Sequence, residues 1–348
     1  MTYPLAISAA ALLLSLVLTG QVRKYALAAK MVDYPNARSS HSIPTPRGGG
    51  IAIVVSFVTA SVVCWLARVP VPEPLLWAFV VCGSAVALLG AIDDRRGVPA
   101  RWRFASHAAA ACFALWLFNG IPPVPVFGVS LDLGFGGSIL AALYLVWMVN
   151  LCNFMDGIDG LAGIEAITVS LGGALTWALA TQTTHWTIAV VFAASVAGFL
   201  AWNYPPAKIF MGDGGSGFIG MVLGLFSLWA GHEASQVFWC WFILIGCFMV
   251  DATTTLVRRV RRGEKFHEAH RSHAYQFAAR AVKSHKTVSL AVGLINLLWL
   301  LPIAVLVARQ WLDGVVGVII AYAPLVMLAF RLKAGDRASQ QEQALGLK

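Results

Sequence analysis

The chain has 348 residues, 59% of them hydrophobic and only 12% charged, with a mean hydropathy of +0.75. A soluble globular domain is about 45–50% apolar and about 25% charged, so a water-soluble fold is excluded. The formal net charge of +9 raises nucleic acid as a partner, but the placement of the charges argues against it.

Eleven apolar segments follow one another along the chain. They run roughly over 4–22, 48–66, 75–92, 104–121, 138–154, 161–180, 186–204, 217–230, 236–256, 287–308 and 312–330. No basic residue precedes the first and no convincing small-residue cleavage site follows it, so it reads as a span rather than a cleaved signal. The eighth is short, and the Gly-rich stretch before it is a ready extension. No repeat, low-complexity tract or linker divides the chain. The expectation is a single domain over 1–348: an all-α polytopic integral membrane protein with about 11 transmembrane helices.

Of the 25 Lys and Arg residues, 23 lie in loops after the odd-numbered segments or in the C-terminal tail, and only Arg68 and Arg309 lie on the other side. The positive-inside rule then predicts a periplasmic N-terminus and a cytoplasmic C-terminus. The same asymmetry accounts for the net charge as a topology signal with affinity for anionic lipid headgroups, so nucleic acid is not needed. Cys64, Cys82, Cys112, Cys152, Cys240 and Cys247 all fall within or at the edge of apolar segments. That argues for packing, against a disulfide framework and against a C-x-x-C metal knuckle.

The outer loops are short or bland. The inner loops, at about 23–47, 93–103, 153–160, 203–216 and 257–286, carry nearly every polar residue able to do chemistry. A transporter or flippase of lipid-linked sugars is the rival reading, and it predicts charged residues near the bilayer centre. The sequence offers little there beyond Asp251, near the inner end of the ninth segment. A scaffold without activity would leave the acid-bearing loops unexplained.

In "GAIDDRRGVPARWRF", Asp93 and Asp94 end the third segment. Helical neighbours project about 100° apart, so one carboxylate can ligate a cation while the other accepts a proton. The plain alternative is a solvated helix end countered by Arg95 and Arg96. In "NFMDGIDG", Asn153, Asp156 and Asp159 gather hard oxygen ligands within one turn, which suits Mg²⁺ or Mn²⁺ rather than zinc. Capping and turn formation is the alternative. In "NYPPAKIFMGDGGSG", Pro205 and Pro206 end a helix, and glycines flank Asp213 ahead of the next one. Such a start either receives a phosphate or is simply capped by Asp213. Arg47 before three glycines reads as a phosphate cradle or as a flexible turn. His267, His270 and His273, with Arg271 between, read better as ligands of phosphate or sugar oxygens than of zinc, because no inner loop contains cysteine. Acids at the end of a hydrophobic run need a counter-ion. Together, the loops imply a metal, a nucleotide diphosphate and a lipid phosphate.

These stretches, in this order, resemble the polyprenyl-phosphate N-acetylhexosamine-1-phosphate transferase family. The resemblance runs from about Asp33 to Gln276 and rests on "DD" at 93–94, "NFMDGIDGLAG" at 153–163, "NYPPAKIFMGDGGS" at 203–216 and "HRSH" at 270–273. It implies transfer of an N-acetylated sugar 1-phosphate from a UDP-N-acetylhexosamine to undecaprenyl phosphate, with release of UMP. The implied setting is the cytoplasmic face of the inner membrane, with Mg²⁺ as cofactor and Mn²⁺ as a substitute. The implied partners are the two substrates and membrane lipids, with homodimer formation left open.

By the resemblance, Asp93 is the base toward the lipid phosphate and Asp94 sits near metal and pyrophosphate. Asp213 is the main metal ligand, with Asn153 and Asp156 beside it. Asp159 and Phe210 match the positions that hold uracil. Arg103 stands where the family has a phosphate-facing lysine. Asn203, His270 and His273 match positions around the diphosphate and nucleoside, and Arg47 and Arg271 are expected on the substrate. The chain has "PTPRGGG" where the peptidoglycan branch has "PTMGG", and "HEAHRSH" where that branch has adjacent histidines. Both departures point to the branch that starts O-antigen or exopolysaccharide chains with a simpler N-acetylated sugar.

Overall fold

A computed structural model describes residues 2–34, 43–264 and 271–337. Helix α1 (Thr2–Ala28) leads into a two-stranded antiparallel pairing of β1 (Val32–Asp33) with β2 (Thr45–Pro46), in the register Val32 to Pro46. Then come α2 (Ile51–Leu66), α3 (Glu73–Arg96, with a π-helical turn at Ala78–Gly83) and α4 (Ala100–Leu117). A small hairpin of β3 (Val124–Val126) and β4 (Val129–Leu131) precedes α5 (Gly134–Met155), α6 (Leu161–Ala180) and α7 (Thr187–Asn203). The chain continues through α8 (Asp213–Glu233), α9 (Ser235–Leu244), α10 (Gly246–Arg261) and α11 (Ala274–Val282). It closes with α12 (His285–Ala308, with a π-helical turn at Asn296–Leu300) and α13 (Gly314–Arg331).

Each of the eleven expected apolar segments falls on one of these helices, except the ninth, which falls on two. Helices α9 and α10 meet at a bend of 68°. At the bend a side chain from another helix enters the hydrogen-bond ladder: the Tyr322 hydroxyl of α13 donates to Phe242 O, the carbonyl that a straight helix would bond to the Gly246 amide. Among the described residues, seven helices are long and apolar enough to cross a bilayer, or eight if the bent pair is one crossing. Helices α2 and α7 are apolar but shorter. The protein is therefore an all-α, multi-pass membrane protein.

Helix α8 is the axis of the bundle. Its apolar window is 94% buried, against 22% for α1 at the periphery. Lipid tails are as apolar as Leu, so helices in a membrane associate through close packing rather than by escaping water. Small residues serve that end here. A Cβ on Gly220 would lie 2.2 Å from Met148 O on α5, so only glycine allows α5 and α8 to touch there. Beside this contact, Phe57 packs edge-on against Phe79 at 5.0 Å and Phe192 at 4.9 Å, filling the space between α2, α3, α7 and α8.

Two acids are held by internal partners, Glu233 partly buried and Glu165 fully buried. Glu233, at the end of α8, accepts hydrogen bonds from Trp177, Trp229 and Thr183 and meets His185 Nδ1 at 2.5 Å. Glu165, one turn into α6, accepts from Asn296 Nδ2 at 2.7 Å, while Glu165 Oε1 and Asn296 Oδ1 have no partner.

Candidate active site

The loops expected to carry chemistry converge at one end of the bundle, around the first turn of α8. Main-chain pairing draws two of them together: Phe210 N donates to Pro46 O at 2.8 Å, Gly49 N to Phe210 O at 2.9 Å, and Gly50 N to Met211 O at 2.9 Å. The Arg47 loop and the Phe210 loop thus lie side by side. Glycines allow the helices beneath to meet backbone to backbone. A Cβ on Gly50 would lie 2.3 Å from Gly215 Cα, and one on Gly90 would lie 2.5 Å from the Asp213 carbonyl. Gly212 has φ +79° and faces Asp94 Oδ2, so that turn admits no side chain.

Asp93 and Asp94 have different partners. Asp93 Oδ2 accepts from Arg103 Nη1 at 2.6 Å, and its Oδ1 accepts from Val98 N at 2.5 Å. Asp94 Oδ2 accepts from the Asp213 backbone amide at 3.0 Å and so caps α8. Its Oδ1 lies 3.8 Å from Arg47 Nη1, and Arg47 also donates to the Asp94 carbonyl. Asn153 hydrogen-bonds the Asp213 carboxylate. Asp156 follows the last residue of α5 and keeps some contact with solvent. Burial, joined by the like charges of Asp213, Asp94 and Asp159, pushes the Asp156 carboxyl well above the usual carboxylate range.

These oxygens fit a hard divalent cation. Among the described residues no three His, Cys, Asp or Glu side chains close into a metal cage. A magnesium ion held by one or two carboxylates and completed by substrate phosphates does not need one. The mutual repulsion at Asp156 is what a shared cation would relieve.

Other expected site residues have internal partners. Asp159 Oδ2 accepts from Ala207 N at 3.0 Å and lies 3.4 Å from His285 Nδ1, while Asp159 O accepts from Ser289 Oγ at 2.8 Å. Asn203 is buried: its Oδ1 accepts from Gly160 N at 3.0 Å and its Nδ2 donates to Ile209 O at 3.0 Å. It therefore fastens the Asp159 loop to the Phe210 loop. His273 is buried as well, with Nδ1 3.2 Å from Asp251 Oδ1. Asp251 caps α11 by accepting from the Ala274 and Tyr275 amides at 2.9 and 3.0 Å. The Arg271 carbonyl accepts from Arg280 at 3.4 Å. His267 and His270 lie outside the described residues.

Sequence reasoning missed four residues here. Asp251 registered only as a charge inside a span, although it organises the last loop. Tyr275 donates to Phe154 O at 3.0 Å and lies over Gly157. His285 and Ser289 hold Asp159 from α12. None carries a local signal, because each acts on a partner more than twenty residues away.

A cavity of about 350 Å³ runs beside the cluster, between α3, α4, α5 and α8. Its walls are apolar, among them Leu89, Phe104, Leu143, Val146 and Trp147, and Asp93, Arg103, Asn153 and Asp213 also line it. One cavity thus joins a hydrocarbon-like wall to a cation, a carboxylate and the acid cluster.

Comparison with known proteins identifies the family. The family model of glycosyl transferase family 4 matches residues 76–231. The chain is 32% identical to the decaprenyl-phosphate N-acetylglucosaminephosphotransferase of Mycobacterium tuberculosis (strain CDC 1551 / Oshkosh), over 79% of this chain and 76% of the relative. It is 31% identical to the protein of the same name in Mycolicibacterium smegmatis, over 93% of this chain and 87% of the relative. It is 28% identical to the phospho-N-acetylmuramoyl-pentapeptide-transferase of Staphylococcus aureus (strain JH9), over 72% of this chain and 83% of the relative. A carrier-lipid phosphate, a sugar phosphate and an acid-lined cavity in a helical bundle belong together in one chemistry, and this chain belongs to the polyprenyl-phosphate N-acetylhexosamine-1-phosphate transferase family of membrane enzymes.

Proposed function

We propose that this enzyme transfers N-acetylhexosamine 1-phosphate from a UDP-sugar to undecaprenyl phosphate, yielding undecaprenyl-diphospho-sugar and UMP. The reaction takes place at the cytoplasmic face of the inner membrane and begins an O-antigen or related envelope polysaccharide. The observation that carries this reading is the cavity, whose apolar walls and Arg103–Asp93 pair suit an isoprenoid ending in a phosphate. The mycobacterial relatives are named for N-acetylglucosamine, which makes it the first sugar to test. N-Acetylfucosamine and N-acetylquinovosamine come next.

In this reading an oxygen of the lipid phosphate attacks the β-phosphorus of the UDP-sugar. The bond from that phosphorus to the bridging oxygen breaks, and UMP leaves with the electron pair. One diphosphate linkage replaces another, so the step is reversible until later reactions draw it forward. Arg103 binds the incoming phosphate, and Asp93 orients Arg103 and accepts any remaining phosphate proton. Asp213, Asp156 and Asn153 would hold Mg²⁺ or Mn²⁺. When bound, the metal supplies positive charge to the diphosphate as charge develops on it. Arg47, fixed by Asp94, faces the same diphosphate, and Arg271 and His270 of the last loop are assigned to it as well, while His273 anchors that loop on Asp251. Asp159 and Phe210 take the uracil, and Asn203 keeps their two loops in register.

The test is purified protein with undecaprenyl phosphate, Mg²⁺ and a panel of UDP-sugars, read as UMP release. Turnover of one N-acetylhexosamine donor supports the reading. No release with any donor, from protein that remains folded, would overturn it.

A further inference from the structure

The cavity beside the acid cluster contains a polar group that the fold does not use. His107 lies four residues beyond Arg103 on α4, hence on the same face of the helix. It is 9% exposed and lines the cavity together with Asp93, Arg103, Asn153 and Asp213. Its Nδ1 is buried without a hydrogen-bond partner. The other polar groups of this wall are engaged: Asn150 Nδ2 donates to Val146 O at 2.7 Å, and Arg103 donates to Asp93. The next turn of α4 presents Ala110, Ala111 and Ala114 to the core.

An unpartnered polar atom in an apolar wall costs free energy, and an apolar side chain of similar size would avoid that cost. Nothing in the packing repays it; Nδ1 is closed off, and Nε2, which has no protein partner among the described residues either, is the ring nitrogen open to a ligand in the cavity. A phosphate ester presents acceptor oxygens, and imidazole in any protonation state carries at least one N–H. An isoprenoid tail has no hydrogen-bonding group to offer, so the phosphate is the part of the lipid that can meet this ring.

We propose that His107 is a further substrate-binding residue, donating a hydrogen bond to the phosphate of the lipid acceptor as that phosphate meets Arg103. The inference rests on the reading of this cavity as the seat of the lipid phosphate. It assigns the ring to the acceptor lipid rather than to the sugar nucleotide.

The experiment uses full-length His107→Leu, His107→Gln and Arg103→Gln with the UDP-sugar of highest turnover. In His107→Leu, the KM for undecaprenyl phosphate is expected to rise about tenfold, the effect of one lost hydrogen bond, while the KM for the UDP-sugar stays within about twofold. The melting temperature should hold or rise, because the substitution removes an unpaired polar group from an apolar wall. His107→Gln retains a donor and should recover most of the lipid KM. An unchanged lipid KM in His107→Leu, or an equal rise for both substrates, overturns the proposal. So does a lowered melting temperature with both KM values unchanged, which would make His107 a packing residue. Arg103→Gln separates the two levels. If it raises the lipid KM while His107→Leu does not, only the role of His107 falls. If Arg103→Gln leaves the lipid KM unchanged, the seat of the phosphate lies elsewhere and the proposal falls with it.

Discussion

The carboxylate of Asp94 caps the helix that Asp213 begins, with the Asp213 amide nitrogen 3.0 Å from Asp94 Oδ2. Removing the cap should cost about 1 kcal/mol, the usual loss for such a group. Asp94→Ala is therefore expected to lower both the melting temperature and the activity. Asp94→Asn retains an acceptor for the Asp213 amide and should melt like the wild type while still losing activity, because the charge facing Arg47 is gone. An Asp94→Ala protein that melts normally would show that the cap contributes nothing.

Asp213→Asn retains the size of the side chain and removes its charge. Turnover is expected to fall about 10²–10³-fold, as for loss of one preorganised electrostatic group. Chelation should abolish wild-type turnover, with Mg²⁺ or Mn²⁺ restoring it and zinc failing to. Near-normal turnover of Asp213→Asn at low Mg²⁺ would reduce Asp213 to a helix start.

A Cβ on Gly157 would come within 2.1 Å of the Tyr275 hydroxyl. Gly157→Ala should displace α11 or the Asp156 loop and cut turnover sharply. Tyr275→Phe deletes the offending oxygen, so the double variant should regain part of the lost activity. Strictly additive losses would mean that the two residues do not meet in the working enzyme.

Glu165 and Asn296 each have one oxygen without a partner. In Glu165→Gln the new amide supplies the donor that Asn296 Oδ1 lacks, so the melting temperature should hold. Glu165→Leu takes away one of the two acceptors of the Asn296 amide, leaving only Thr168 Oγ1 at 2.8 Å, and should destabilise by about 1 kcal/mol. Equal melting of the two variants would argue that water already serves this pair.

Orientation is open to cysteine labelling. Gln182 and Lys283 are exposed at opposite ends of the bundle. An impermeant thiol reagent on intact cells should label Gln182→Cys and spare Lys283→Cys. The reverse pattern would put the acid cluster outside.

Much of this architecture is legible in the sequence because a bilayer enforces long apolar runs, and each expected run falls on a helix. The gathering of Asp93, Asp94, Asp156 and Asp213 at one end is legible too, since the acids follow alternate runs. The bend at Gly246 is not, because it depends on a tyrosine from a helix nearly eighty residues further on. Nor is the internal use of Asn203 and His273. Motif reasoning marks such residues as important without saying whether they face substrate or a neighbouring loop. His107 has the weakest signature of all, a single histidine in an alanine-rich helix.

The main-chain contacts of Gly50 with Gly215 and of Gly90 with Asp213 have a consequence for how this enzyme can diverge. The acids are placed by peptide units of three helices, which are the same whatever side chains surround them. The lipid-facing exterior is therefore free to drift without moving an oxygen of the acid cluster. Changes in the loops around the acids can alter substrate choice on an unaltered frame. The glycines cannot take part in that drift, since any replacement moves a helix axis and the acids with it.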